Sequence, residues 1–188
     1  MKLQRTLPRL GILAALALLF VLGSQVMPAQ SADSEQISKL LAQAKSEAVL
    51  AEDDAASLDS FTRSTLSWKH HGFKIEQMRD HINALGQIHK QLADARVQGS
   101  AWQQLAIDQI EPLLQGMADN LSLTINHLNQ NQTNVHMPAY REYVHANHEL
   151  ASRTAGMIRE FVDYDEAKSK TDALEAKLEL ATEDKKEQ

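Results

Sequence analysis

The chain has 188 residues, 19 Lys and Arg against 25 Asp and Glu, a formal net charge of −6, and no cysteine. The missing thiols exclude disulfides, covalently attached c-type haem and thiol catalysis. An acidic balance without a basic stripe argues against nucleic acid and anionic membranes as partners. With only 7 Gly and 4 Pro among abundant Ala, Leu, Glu, Lys and Gln, the composition favours helices and starves turns.

Residues 1–32 read as a bacterial-type secretory signal. Lys2, Arg5 and Arg9 form a basic region, an apolar run follows from Leu10 to Leu22, and Pro28-Ala29-Gln30-Ser31-Ala32 suits cleavage after Ser31 or Ala32. The run falls short of the about 20 apolar residues that a span requires. An uncleaved signal anchor is the alternative. The segment holds three of the basic residues and no acidic one, so the remainder carries 16 basic against 25 acidic residues, a net −9. The expected location is the periplasm or the medium, with no membrane span once the signal is cleaved.

Residues 33–165 read as one helical domain. The first helix starts at Asp33 or Ser34, a capping residue before Glu35 and Gln36. Its stripe is Ile37, Leu40, Leu41, Ala44, Ala48, Ala51, Ala55 and Leu58, so rich in alanine that a partner helix could approach closely. Asp53, Asp54 and the stretch Ser57 to Ser67 weaken the pattern. The second helix carries a heptad seam through Trp68, His71, Ile75, Met78, Ile82, Leu85, His89 and Leu92. The first seam extrapolates to Lys69 and Gly72 instead, a slip that predicts a turn or distortion between Leu58 and Trp68. One long bent helix is the alternative.

Gln98-Gly99-Ser100 is a break, and Ser100 with Gln103 is spaced as a capping box for the third helix. Its stripe is Trp102, Ala106, Ile110, Leu113, Leu114, Met117, Leu121, Thr124 and Leu128, with Pro112 expected to kink it. A polar loop from Asn129 to His136 leads to Pro138, which suits the first turn of a fourth helix. That helix is expected to bury Tyr140, Tyr143, Val144, Asn147, Leu150, Ala151, Thr154, Ile158 and Phe161. Residues 166–188 form a charged helical tail, frayed at its end, with Leu174, Leu178 and Ala181 on one face. Helices of matched length and short loops predict an all-α, antiparallel up-down-up-down four-helix bundle with a charged C-terminal helical extension.

The eight histidines are the candidates for chemistry. His71 and His89 lie on the second helix's seam, about 27 Å apart along its axis, too far to share an ion. Each is either a core-edge imidazole bonded to a neighbour or, inside the bundle, an axial ligand for non-covalent haem or a metal ligand. Met78, Met117 and Met157 could face such a site, although seam methionines usually fill core gaps. Glu142-Tyr143-Val144-His145 has the Glu-x-x-His spacing of di-iron bundles. It occurs once, and its phase turns Glu142, His145 and Glu149 away from the core, so that face could hold a divalent ion only loosely. A hairpin of the third and fourth helices could gather His127, His136, His145 and His148 at one end of the bundle, as imidazole ligands for zinc, nickel or copper.

No Gly-rich phosphate loop, Gly-x-Ser-x-Gly or His-Glu-x-x-His occurs, and the glycines are too few to shape active-site loops, so an enzyme is not expected. The expectation is an exported, non-catalytic helical-bundle protein of the bacterial cell envelope. It would act by binding a protein partner or by a structural role, and self-association through the C-terminal helix is one form this could take. No cofactor is expected on this reading. The alternative is a periplasmic bundle that binds haem or a divalent transition metal.

Overall fold

A computed structural model of the chain describes residues 32–183, with side chains to 179. The segment read as an export signal lies outside the described residues, apart from Ala32. Four helices follow one another: α1 (Glu35–Phe61), α2 (Trp68–Ala95), α3 (Ala101–Gln130) and α4 (Pro138–Glu183). A 3-10 turn, Arg96–Gln98, leads from α2 towards α3.

Local chemistry sets the helix ends. Ser34 caps α1, its Oγ accepting from the Ile37 amide at 3.5 Å. Gln103 Oε1 reaches back to the Ser100 amide at 3.1 Å and starts α3. Pro138 opens α4, where its missing N–H would have had no helical partner. The slipped seams do mark a real break, because Thr62–Ser67 separates α1 from α2. α1 nevertheless continues through the polar stretch to Phe61. Pro112 is exposed inside α3, which runs through it as one continuous helix.

Pair contacts give the directions. Lys74 meets Asp54 at 2.9 Å and His81 meets Glu47 at 2.8 Å, so α2 runs against α1. Gly72 faces Leu128, while His89 reaches the Ile107 carbonyl at 3.3 Å, so α3 runs against α2. Met117 meets Thr154 and Thr124 meets Asn147, so α4 runs against α3. Lys45 pairs with Asp163 at 2.9 Å and His145 lies beside Asp59, which places α4 antiparallel to α1 and closes the ring. The result is an all-α, up-down-up-down four-helix bundle.

The core is the union of the four stripes. Ile37, Leu41 and Leu58 from α1 meet Met78, Leu85 and Leu92 from α2, Ile107, Ile110 and Met117 from α3, and Tyr140 and Ile158 from α4. Ala44, Ala48, Ala51 and Ala55 are all buried, so α1 packs close to its neighbours. The seams differ from the expected ones at a few places. Ile88 is buried and His89 only half-buried; both satisfy the three-four spacing, and the aliphatic chain gains more from leaving water. Val162 takes the buried position in place of Phe161, which packs half-buried against the core. Gln103 is fully buried, while Trp102 sits at the rim with its indole N–H donating to Asp33 at 2.7 Å.

Candidate functional site

Two regions carry the candidate residues, one at each end of the bundle. The end formed by the α1–α2 and α3–α4 connections holds six of the eight histidines. His71 is 0% exposed and shares a hydrogen bond of 3.0 Å between Nδ1 and Tyr140 Oη. Its Nε2 is buried without a partner. Phe61 packs edge-on against its ring, with centroids 5.7 Å apart. Burial, helped by the nearby His136 and His70, pulls the His71 pKa down to about 4. Burial also pushes the Tyr140 phenol up, so the pair is neutral. His89 stands far along the same helix and donates from Nε2 to the Ile107 carbonyl. The two residues proposed as haem ligands are thus engaged separately, one inside the core and one on a groove of about 370 Å³ between α2 and α3.

The four histidines proposed as metal ligands divide into two pairs. His127 is turned inward onto aromatic rings, stacked on Tyr140 at 5.7 Å and edge-on to Tyr143 at 5.8 Å. His136 is exposed and directed towards the Thr62 carbonyl at 3.5 Å. His145 and His148 lie on α4 facing the end of α1. There the structure adds a residue that sequence reasoning did not single out. One ligand atom from each of Asp59, His145 and His148 lies within 4.8 Å of the others. Asp59 continues the α1 stripe from Ala51 and Ala55, so an acid on an apolar stripe was the available signal. Its partners on α4 become visible only once the helices pair. Glu142, His145 and Glu149 are all exposed, as their helical phase requires.

At the opposite end, Asp33, Trp102, Tyr164 and Lys168 close the rim. Lys168 Nζ reaches Asp33 at 2.8 Å and Asp172 at 3.0 Å, and Trp102 packs edge-on to Tyr164 at 5.2 Å. Burial alone would raise the Asp33 pKa, but hydrogen bonds from Lys168 and Trp102 prevail and hold it below the usual carboxylate range. The lysine is correspondingly raised by Asp33 and Asp172. Beyond this rim α4 continues without a break to Glu183, about 22 Å at 1.5 Å per residue. Leu174 and Leu178 on this projection are 59% and 67% exposed. At about 100° per residue they stand about 160° and 200° round the helix from Ile158, on the side turned away from the core. No helix among the described residues is long and apolar enough to cross a membrane.

Compared with known proteins, the chain matches no family model, no curated protein and no solved structure.

Proposed function

We propose that this chain is an exported, non-catalytic helical-bundle protein of the bacterial cell envelope, acting by protein binding, and that its contact surface is the projecting end of α4. One observation carries the contact surface: a 46-residue helix outruns its 27- to 30-residue neighbours and presents two exposed leucines on the face opposite the core, while export rests on the pattern of residues 1–32. A bundle gains nothing internally from apolar side chains placed there.

The occupant proposed for this face is the same helix of a second copy, in parallel register. Ala167, Thr171, Leu174, Leu178 and Ala181 repeat at the alternating spacing of a coiled-coil seam. Lys170 and Glu175 then fall at flanking positions five residues apart, the spacing at which opposite charges meet across a parallel pair. Burying a leucine contributes about 1.5–3 kcal/mol, while association costs about 4–15 kcal/mol. Four leucines roughly balance that cost, so the pairing is weak and needs a high local concentration.

Because the chain has no cysteine, cross-linking tests this cleanly. Thr171→Cys lies on the seam and should give a disulfide-linked dimer under mild oxidation, whereas Ser169→Cys, on the outer face, should not. Cross-linking of Thr171→Cys should disappear when Leu174 and Leu178 are both changed to Lys. Equal cross-linking of the two cysteine variants, or none from either at high concentration, would overturn the parallel pairing.

A further inference from the structure

We infer that Asp59, His145 and His148 form a binding site for one divalent transition metal ion, built where the end of α1 meets the start of α4. The inference is independent of the contact surface assigned to the far end of the bundle.

The donor set is two imidazoles and one carboxylate. Asp59 is nearly buried, and Arg63 holds its Oδ2 at 2.7 Å. That ion pair orients the carboxylate and leaves Oδ1 facing His145 Nδ1 at 3.7 Å, longer than a hydrogen bond. His148 follows His145 by three residues, so both imidazoles rise from one flank of α4. His148 makes no hydrogen bond or ion pair among the described residues, so its nitrogens are not committed elsewhere. With the three ligand atoms within 4.8 Å of one another, a central ion lies no more than about 2.8 Å from each, against about 2.0–2.1 Å for a zinc–imidazole bond. The remaining contraction falls chiefly to His145, whose side chain is 61% exposed.

The surroundings are those a metal-bound imidazole uses. His145 Nε2 lies 3.5 Å from Glu149 Oε1. A carboxylate there accepts a hydrogen bond from Nε2–H, which leaves the Nδ1 lone pair facing Asp59 and makes the ring a better ligand. Asp59 is tied to Arg63 in the same way. Three protein ligands with water completing the shell suit a borderline ion such as Zn²⁺, and Cu²⁺ would bind more tightly still by the usual order of divalent metals. The bound ion would join the last turn of α1 to α4, next to a surface cleft lined by Asp59, Thr62, Arg63, Arg141, Glu142 and His145.

The test is a calorimetric titration of the untagged protein with zinc chloride, paired with thermal melts with and without zinc. The site predicts one saturable ion per chain and a melting temperature that rises with zinc. His145→Ala and His148→Ala should each weaken binding at least tenfold. Glu149→Gln should weaken it less, and His127→Ala and His136→Ala should leave it unchanged. Binding unaffected by the His145 and His148 changes, or no saturable binding up to millimolar zinc, would overturn the assignment. Melts of the metal-free variants show that each is folded, so that lost binding is read as a lost ligand.

Discussion

His71 makes the bundle acid-sensitive by an amount that follows from its burial. In the unfolded chain its imidazole titrates near 6.5, whereas in the fold it does so only at about 4. The unfolded state therefore takes up the proton first. Above pH 6.5 both states are neutral and the group has no effect; as the pH falls from 6.5 towards 4, stability is progressively lost. The separation is worth about 3 kcal/mol in full, of which about 2.5 kcal/mol is gone at pH 4.5. For a domain of this size that is a fall of about 5–10 °C in melting temperature. The perturbation is His71→Leu, which keeps an apolar filler but cannot titrate. At neutral pH it should cost about 1–3 kcal/mol, because Tyr140 Oη loses its partner at 3.0 Å inside the core. Urea unfolding at pH 7.5 and 4.5 then isolates the titration. The unchanged protein should lose about 2.5 kcal/mol more between the two values than the variant does. Equal losses would show that His71 is not the buried neutral group described.

Three further outcomes are expected. Gly99→Ala should destabilise by about 1–3 kcal/mol in chemical unfolding, since the new Cβ would lie 2.8 Å from Ile37 Cδ1, 3.2 Å from Gln103 Cβ and 3.3 Å from the Arg96 carbonyl; a neutral result would mean that the α2–α3 corner yields easily. Thr124→Val removes the acceptor of the Asn147 amide at 2.7 Å and should cost about 1–3 kcal/mol, measured the same way, with Asn147→Leu recovering part of the loss in the double variant. A chain ending at Lys168 keeps the Asp33 contact and every buried residue, so its unfolding free energy in urea should stay within about 0.5 kcal/mol of the intact protein; a larger fall would mean that the projection packs back on the bundle.

Periodicity carries the architecture because burial is periodic. The stripe from Ile37 to Leu58 is buried at every expected position, and the slip between the first two seams marks the turn at Thr62–Ser67. Where the spacing allows two adjacent residues, as at Ile88 or His89 and at Phe161 or Val162, period alone does not choose; the cost of dehydrating an imidazole settles the first pair, whereas at the second Val162 is buried and Phe161 packs half-buried against the core. Gln103 escaped an apolar search for a different reason. Its amide is buried because it bonds the Ser34 and Ser100 amides, the Ser34 carbonyl and Ser38 Oγ, a set assembled from two helices. The candidate site shows the same limit. The pairing of His145 with His148 follows from their spacing on one helix, but Asp59 lies 86 residues before His145, and only the antiparallel packing of α1 and α4 brings it there. His127 and His136 had the right neighbourhood and the wrong orientation, one facing tyrosine rings and the other a loop carbonyl.

The rim around Asp33 and Lys168 also sets how the molecule responds to force. α1 begins and α4 leaves the bundle at the same rim, so tension applied between residues 32 and 183 falls first on the contacts there, the Asp33–Lys168 salt bridge and the bonds of Asp33 to Trp102 and of Ser34 to Gln103. Because α1 and α4 run antiparallel, the load peels them apart one contact at a time, from Asp33–Lys168 through Lys45–Asp163 to Arg159–Glu52, instead of straining the whole interface at once. A bundle pulled by its ends in this way opens like a zip at low force. The same bundle gripped across diagonal corners would have to shear.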